Sequence, residues 1–384
     1  GYDKIPVDDP RYREYLTGDV ELSRALYLKL HELVGDSRYL VREHRVAAVA
    51  AQMTMNGFRV DLPLLNERLA HNAKLRELCL TRLHDKYGIP LNDDKDEPYL
   101  SPLATRAGKD ALIAALVKHG VREGSWWTTG KTADIATSKD AMRHLAAQYH
   151  HIHEVREICL LVAKVVTIRS VYTTVQSHLV GDRVHPNVTM KQSTGRWSLT
   201  KPGLTVMGKR GGKWHEREIF LAEPGHVVIA VDLSQVDMRA IAGLSGDLGY
   251  IDMLRHEDPH AEIARVLFGD PSMREVAKPI GHGWNYGRGV KAIANDNDLP
   301  GDVVLKFDNE MQARFPRMVA WRDEVREIAG SGELLDNGFG RKMRPDPTRS
   351  HTQGPALMGQ GGARDIMMTG MLRLPDEVLP MLRA

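Results

Sequence analysis

The sequence has only two cysteines in 384 residues, Cys79 and Cys159. Both lie in apolar, helix-like surroundings without the spacing of metal ligands. This excludes a disulfide framework and predicts buried thiols in a reducing compartment. An initiator methionine and a signal peptide are also missing. We therefore expect a cytoplasmic protein and an internal fragment of a longer chain.

Long apolar runs and a strong charge of one sign are absent as well. No apolar run approaches the roughly 18 residues that span a bilayer, so we expect no contact with a membrane. The 52 basic and 50 acidic residues give a formal net charge of +2 and a pI near 8.4. Net charge therefore does not indicate a polyanionic partner, which would need a local basic groove instead.

The length permits two or three hydrophobic cores and hence more than one domain. The acidic segment 92–97 predicts a solvated loop. The regions predicted along the chain are a charged helical start to about residue 45, a long amphipathic helix from about Leu64 to Tyr87, a loop-rich stretch over 88–140, a helical run from about Lys139 to Leu179, strands and turns from Gly181 to Asp247, and a mostly helical part from 249 to about 330.

Residues 226–239 are the most informative segment. Five apolar residues, 227–231, predict a short buried strand, and Asp232 stands where that strand ends. Ser234 and Asp237 then form an S-x-x-D capping pattern that opens a helix. A carboxylate at such a junction suits a hard metal ion, although an Asp that merely ends a strand would give the same pattern.

A second pattern lies in residues 274–287. Arg274, Lys278, His282 and Tyr286 recur every four residues. On a helix they drift by only roughly 40° per step and share one face. Arginine and lysine there suit a triphosphate, and the rings suit stacking on a base. A basic face open to water would show the same spacing.

The start of this second helix has two conflicting signals. Ser272 and Glu275 form a capping box. Pro279 lies inside the pattern, where proline removes a backbone hydrogen bond at a cost of roughly 3 kcal/mol. The sequence therefore predicts either a kink at Pro279 or a helix that begins later than the capping box.

Further short segments complete a series, although each alone has an ordinary interpretation, such as a plain turn at Gly195 and Arg196. They are Tyr15–Asp19, Met55–Asp61, Arg183–His185, Thr194–Ser198, Asp258–His260, Gly338–Lys342 and Gln360–Ile366. Together with the two patterns above, they resemble, in the same order, the motifs of family A DNA polymerases, the relatives of bacterial DNA polymerase I. The resemblance implies an α+β fold, the right-hand polymerase, with an antiparallel-sheet palm and mostly helical thumb and fingers.

The resemblance also implies roles for the matching residues. Asp232 would be the catalytic carboxylate and, with the carbonyl of Leu233, would bind metal, with two Mg²⁺ ions in the intact enzyme. The residues expected to bind the nucleotide are Gln235, Asp237, His260, Arg274, Lys278, His282 and Tyr286. Those expected to bind DNA are Arg196, Arg239, Arg341 and Gln360. Tyr15 and Asp19 would be the remnant of a proofreading exonuclease motif.

Within this set, the resemblance implies that Arg274, Lys278 and His260 neutralise the phosphates. Tyr286 would stack near the templating base pair, and Asp237 would check the sugar. The implied domains are a 3′-5′ exonuclease remnant and linker (1–45), palm entry and thumb (46–180), palm with the first catalytic motif (181–248), fingers (249–349) and a palm helix (350–384).

Several positions depart from the family pattern. Asp237 stands where the family has Glu, and His282 where it has Phe or Tyr. The Arg and Asn partners of the family's Gln fall here on Thr352 and Ala356. The family's third motif, H-D-E, supplies the second metal-binding carboxylate and is not found. Asp376 and Glu377 come too soon for it and predict a helix start.

The sequence thus predicts a monomeric, template-directed DNA polymerase that adds deoxynucleotides to a primer 3′-OH by two-metal phosphoryl transfer. Primer-template DNA and deoxynucleoside triphosphates would be its partners, in a bacterial or phage-infected cell. Compact spacing favours a phage replication enzyme over a bacterial repair polymerase. Two alternatives are a catalytically incomplete primer-template-binding fragment and a single-subunit RNA polymerase, against which the carboxylate of Asp237 argues.

Overall fold

The computed structural model describes residues 6, 8–35, 37–90, 105–129, 134–168, 171–208, 215–256 and 258–383, so the predicted acidic loop 92–97 lies outside the described residues. The helices are α1 (Pro10–Val34), α2 (Arg38–Asn56), α3 (Leu62–Tyr87), α4 (Arg106–Lys118), α5 (Lys139–Gln148), α6 (His153–Ile168), α7 (Val171–Ser177), α8 (Val236–Ser245), α9 (Leu248–His256), α10 (Pro259–Phe268), α11 (Arg274–Asn285), α12 (Val290–Asp296), α13 (Gly301–Arg314), α14 (Pro316–Ser331) and α15 (Ser350–Met371). The strands are β1 (Phe58–Val60), β2 (Leu179–Val180), β3 (Arg183–Val184), β4 (Asn187–Thr189), β5 (Ser198–Thr200), β6 (Phe220–Leu221), β7 (Leu335–Asp336) and β8 (Lys342–Met343).

The chain folds into two compact units, each built from separate stretches of sequence. The first comprises Gly1–Asn56, Val188–Ser198 and Ile229–Ala384. The second comprises Gly57–Asn187 and Leu199–Val228. Helices predominate, and the strand pairs whose register is described are antiparallel. The predicted α+β class is confirmed, whereas the division into five domains stays a prediction.

Helix α3 organises the second unit. The side chain of Asp61 caps its start by accepting a hydrogen bond from the backbone N of Leu64 at 3.0 Å. Gly88, with φ of 69°, ends it in the left-handed conformation. Leu83 on α3 and Ile158 and Val162 on α6 lie in one apolar core. The helix predicted from about Leu64 to Tyr87 is confirmed within two residues.

A small sheet with strand order β2-β3-β1-β6 completes the second unit. Phe58 pairs with Val184, and Arg59 pairs with Leu221. Gly57 precedes β1 with φ of 58°, and a Cβ there would lie 2.4 Å from the carbonyl oxygen of Val184. Only glycine therefore permits this approach of the two backbones.

The core of the first unit is formed mainly by helices α8 to α11, α13 and α14, with a contribution from α15. Its fully buried side chains include Trp284, Tyr250 and Phe307. Helices α8 and α15 approach closely at Gly359, where a Cβ would lie 2.9 Å from Cδ1 of Ile241. The segments that the sequence marks as nucleotide-binding therefore rest on a packed scaffold.

Some predicted elements differ from the structure. The supposedly loop-rich stretch 88–140 contains α4, and the helical run from Lys139 is divided among α5, α6 and α7. Segment His153–Ser177 has the length and composition of a membrane-crossing helix, contrary to our sequence-based expectation, but apolar side chains of α6 lie in the second unit's core. Both cysteines are buried and free, as predicted, and burial raises the pKa of Cys159 to about 12.

Candidate active site

Helix α11 carries the predicted face. Arg274, Lys278 and His282 are partly exposed on it, and Tyr286 caps its C-terminus. The opposite side is buried because Gly281 permits close contact with α10: a Cβ there would lie 2.4 Å from Cδ1 of Ile263. The four-residue spacing thus places two cations and two rings along one side, as the sequence predicted.

The start of α11 differs from the predicted capping box. Met273 is the N-cap and makes no side-chain cap bond. Ser272 instead belongs to a 3-10 turn, Pro271–Met273, which Asp270 caps by accepting from the backbone N of Ser272 at 2.8 Å. The helix begins at Arg274, later than the capping box with Ser272 as N-cap predicts, and it continues through Pro279.

His260 and His282 form an imidazole pair between α10 and α11, with ring centroids 5.3 Å apart. His260 is only 2% exposed, and its Nδ1 is buried without a hydrogen-bond partner among the described residues. Burial, followed by the neighbouring His282 and Arg274, lowers the pKa of His260 to about 4. The lowered pKa favours the neutral ring near neutral pH, so that His260 can act as a hydrogen-bonding group; its predicted role toward the phosphates stays a prediction.

Arg274 is paired with two carboxylates. Its Nε donates to Oδ2 of Asp258 at 2.6 Å, and Nη1 donates to Oε1 of Glu275 at 2.5 Å. Asp258 also caps α10 by accepting from the backbone N of His260 at 2.9 Å. An anion that binds Arg274 must therefore compete with two carboxylates, which are partly exposed and screened by water.

Asp237 is the point where several predicted residues meet. Its side chain is 14% exposed, and Oδ2 accepts hydrogen bonds from the guanidinium of Arg196 and from the hydroxyl of Tyr286, the latter at 2.7 Å. Gln360 hydrogen-bonds to Tyr286 in turn. Burial, followed by the charge of Asp237, raises the pKa of Tyr286, so its hydroxyl stays protonated and donates.

The segment before Asp232 is not a strand. Residues 226–235 carry no regular structure, and Val227 and Ile229 are each 80% exposed. A strand needs neighbouring backbone groups to pair with, and no described strand pairs with this segment. The prediction of a short buried strand is therefore wrong, and Asp232 itself is exposed.

The junction after Asp232 also departs from the predicted capping box. Ser234 donates to the side chain of Gln235 at 2.6 Å instead of capping a helix. Gln235 is the N-cap of α8, in the left-handed conformation with φ of 46° and without a side-chain cap bond. Arg239, predicted to bind DNA, donates through Nε to the carbonyl of Ser234 at 3.0 Å and remains exposed.

Across the described residues, no group of three or more His, Cys, Asp or Glu side chains is arranged to hold a metal ion. Two Mg²⁺ ions need several carboxylate or carbonyl oxygens. Asp232 and the carbonyl of Leu233 do not fit that requirement by themselves.

A groove with a volume of about 800 Å³ opens beside Tyr286 in the first unit. Arg288, Arg326, Arg349 and His351 contribute to its lining, and none of its described lining residues is acidic. A local basic groove of this kind can bind a polyanion even though the net charge of the chain is nearly neutral. Thr352 and Ala356, the two positions that depart from the family's Arg and Asn, also line it.

Comparison with known proteins identifies the family. The family described as DNA polymerase family A matches residues 110–381, well over half of the chain. The chain belongs to DNA polymerase family A. This match confirms, over most of the chain, the resemblance to the family that the short motifs indicated.

The relatives within family A are distant and longer. The thermostable DNA polymerase I of Thermus aquaticus is 27% identical over 387 residues, which cover 92% of this chain and 43% of the relative. That of Thermus caldophilus is 26% identical and covers 97% and 49%, and a Mycobacterium phage DNA polymerase is 24% identical and covers 97% and 60%. The chain spans about half the length of the curated relatives it matches.

A solved structure supports the polymerase fold. It is described as the POL domain of Pol1 from M. smegmatis in complex with DNA primer-template and dNTP. The two share 22% sequence identity and a TM-score of 0.72, with 94% of this chain and 64% of the other covered. The predicted right-hand polymerase fold is therefore confirmed.

A buried ionic network in this family A chain was not anticipated from the sequence. Asp365 is fully buried and accepts from Arg42 at 2.8 Å, from Arg364 at 2.7 Å and from Asn337 at 2.6 Å. Arg364 also binds both carboxylate oxygens of Glu43 at 2.6 Å. Asp365 lies within the Gln360–Ile366 motif, and the polar residues of that motif were the sequence signal that could have indicated the network.

The residues predicted to be an exonuclease remnant belong to α1. Tyr15 and Asp19 are exposed on α1, a helix with no buried side chain among its described residues. Their role stays a prediction.

Proposed function

We propose that this chain carries the nucleotide-selecting site of a template-directed DNA polymerase, which adds deoxynucleotides to a primer 3′-OH. The observation that carries the proposal is the meeting of Arg196, Asp237 and Tyr286 at the end of the α11 face. Arg274 and Lys278 on that face suit the phosphates of an incoming nucleotide. Tyr286, at the other end, suits the base pair.

The same contacts support a role for Asp237 in checking the sugar. One carboxylate oxygen is held by two donors from separate segments, so the side chain is fixed in place. A fixed carboxylate next to the nucleotide excludes a ribose 2′-OH more effectively than a mobile one. We therefore infer deoxynucleoside triphosphates as the substrate class.

The proposed reaction also requires metal ions, but the described residues do not form a complete metal site. In a complete site, Mg²⁺ held at Asp232 would stabilise charge during phosphoryl transfer. A further carboxylate would have to complete such a site. Asp232 would then be one part of a shared metal site.

Primer-template DNA is the proposed partner of the basic groove. Arg349 can neutralise a phosphate there, and Arg288 can do so in competition with its ion pair to Asp296, so the protein as a whole need not be strongly basic. The M. smegmatis Pol1 domain was solved with primer-template and dNTP, and we infer the same two ligand classes here. We also propose a monomer acting in the cytoplasm of a bacterial or phage-infected cell, in phage replication.

A primer-template-binding fragment without catalysis is the second candidate, because Asp232 has no complete set of metal-binding neighbours among the described residues. Such a fragment would bind the DNA but add nothing to the primer. A single-subunit RNA polymerase is less well supported, since Asp237 presents a carboxylate where the sugar is checked.

Primer extension tests the proposal. The protein is given a primed template and either deoxy- or ribonucleoside triphosphates. Extension is expected with deoxynucleotides in preference to ribonucleotides, and Asp232→Asn is expected to abolish it while primer-template affinity changes less than about twofold. Asp376→Asn, at an exposed turn, is the matched control and should leave extension unchanged.

Three results would count against parts of the proposal. Extension that persists in Asp232→Asn contradicts the catalytic assignment. Equal use of both nucleotide classes contradicts the role of Asp237. Binding of primer-template without extension by the wild-type protein favours the second candidate.

A further inference from the structure

Arg341 lies against the turn that carries Arg196. Its Nη1 donates to the carbonyl of Thr194 at 2.7 Å, and Nη2 lies 3.5 Å from the carbonyl of Ser193. Gly195 has φ of 74°, and a Cβ on it would lie 1.7 Å from Nη1 of Arg341. The guanidinium therefore occupies the space that any other residue at 195 would fill.

Arg341 is itself held by a buried anchor. Strands β7 and β8 pair antiparallel, and the turn between them ends at Arg341. Asn337 starts that turn: its backbone N donates to the carbonyl of Arg341 at 3.3 Å, and its side-chain oxygen accepts from the backbone N of Phe339 at 3.1 Å. The amide of Asn337 donates to the buried Asp365 at 2.6 Å. Both Asn337 and Asp365 are fully buried.

A continuous series of contacts thus joins the buried network to the candidate active site. It runs from Asp365 through Asn337 to Arg341, and from Arg341 to the backbone carbonyls of Ser193 and Thr194, just before Gly195. Arg196 follows directly, and its guanidinium pairs with Asp237. We infer that Arg341 is a positioning residue that fixes the 193–196 turn and thereby aims Arg196, rather than a residue that contacts DNA itself.

The chemistry of the side chain supports this role. A guanidinium is planar and can donate to two acceptors at fixed angles, as it does toward Ser193 and Thr194. A lysine ammonium has the same charge but lacks this fork. Arg341→Lys should therefore keep a contact to a phosphate but lose the support of the turn.

The inference rests on the proposed function only for its effect on DNA binding. Primer-template affinity is measured for Arg341→Lys, Arg341→Gln, Gly195→Ala, Arg196→Gln and the double variant Arg341→Gln with Arg196→Gln. Gly181→Ala is the matched control, because Gly181 has a similar φ of 63° but nothing within 4 Å of an added Cβ.

Positioning predicts that each of the single variants at 195, 196 and 341 weakens binding by about tenfold, the size expected for one lost charged contact. The double variant should bind no more weakly than Arg196→Gln alone, since both changes remove the same contact. Gly181→Ala should bind like the wild type. The inference would be overturned if Arg341→Lys bound primer-template as tightly as the wild type. It would also be overturned if the loss of affinity in the double variant equalled the product of the losses in the two single variants.

Hydrogen exchange of the free protein provides a readout that needs no DNA. The backbone N of Gly195 donates to the carbonyl of Gln192 at 2.7 Å. Its exchange should be at least about tenfold faster in Arg341→Lys than in the wild type, and unchanged exchange would overturn the inference. Failure of the wild-type protein to bind primer-template would instead count against the proposed function, leaving this exchange result to decide the positioning role.

Discussion

The buried imidazole of His260 makes the stability of the first unit depend on pH. Replacing it with phenylalanine keeps a ring beside His282 but removes the titrating group. The pKa of His260 is lowered to about 4 from an ordinary value of 6.5, chiefly by burial. The unfolded chain therefore takes up this proton first as the pH falls. The protein should have its full stability above about pH 6.5 and lose the contribution progressively down to about pH 4.

The size of this effect follows from the two pKa values. Protonation of a group with pKa near 6.5 in the unfolded state and near 4 in the folded state removes about 2 kcal/mol of folding free energy between pH 8 and pH 5. The group is 2% exposed, so screening by water reduces this little. A His260→Phe variant should lack this part of the pH dependence.

Hydrogen exchange of peptides from α10 and α11, corrected for the intrinsic effect of pH, measures the loss. Peptides from α6 serve as an internal reference because they belong to the other unit. Wild-type protection should fall more steeply than that of His260→Phe between pH 8 and pH 5. Parallel loss in the two proteins would refute the reasoning, and so would an NMR titration that places the pKa of the His260 ring near 6.5.

Two other charged groups yield predictions of stability. Glu157 accepts from Lys86, Tyr87 and Arg82, which lower its pKa to about 2. The ionised carboxylate stabilises the fold above its ordinary pKa, and this stabilisation is lost as the pH falls toward 2. Glu157→Gln should therefore cost about 2 kcal/mol at pH 7, and its free energy of unfolding in urea should depend less on pH between pH 5 and pH 2. An unchanged pH dependence would contradict this. Asp365→Asn should destabilise the first unit by about 3 kcal/mol, because buried guanidinium groups lose a carboxylate. A loss below about 1 kcal/mol in the same urea assay would show that the network contributes little.

The α11 face was predictable from sequence because its signal is local. Arg274, Lys278, His282 and Tyr286 follow the helical period, which a single sequence displays directly. The same is true of α3, whose start at Asp61 and end at Gly88 are marked by residue type. The charge of His260 was not predictable, since its pKa depends on burial between two helices.

Other features depend on groups far apart in sequence. The run 227–231 has the composition of a strand, but a strand forms only where another backbone pairs with it, and composition does not reveal whether one does. The contact of Arg341 with Gly195 joins positions that sequence spacing cannot relate. The fold class could thus be predicted from the order of the motifs along the sequence, whereas the contacts that support Arg196 are visible only in the structure.

The central claim is that the α11 face and Asp237 select a nucleotide under the direction of a template. The most direct test is equilibrium binding of each deoxynucleoside triphosphate to the protein on a primer-template whose primer lacks a 3′-OH, so that no chemistry intervenes. The complementary nucleotide should bind at least about tenfold tighter than the other three, and Lys278→Ala should weaken its binding about tenfold. Equal binding of all four nucleotides, whichever base the template presents, would contradict the claim.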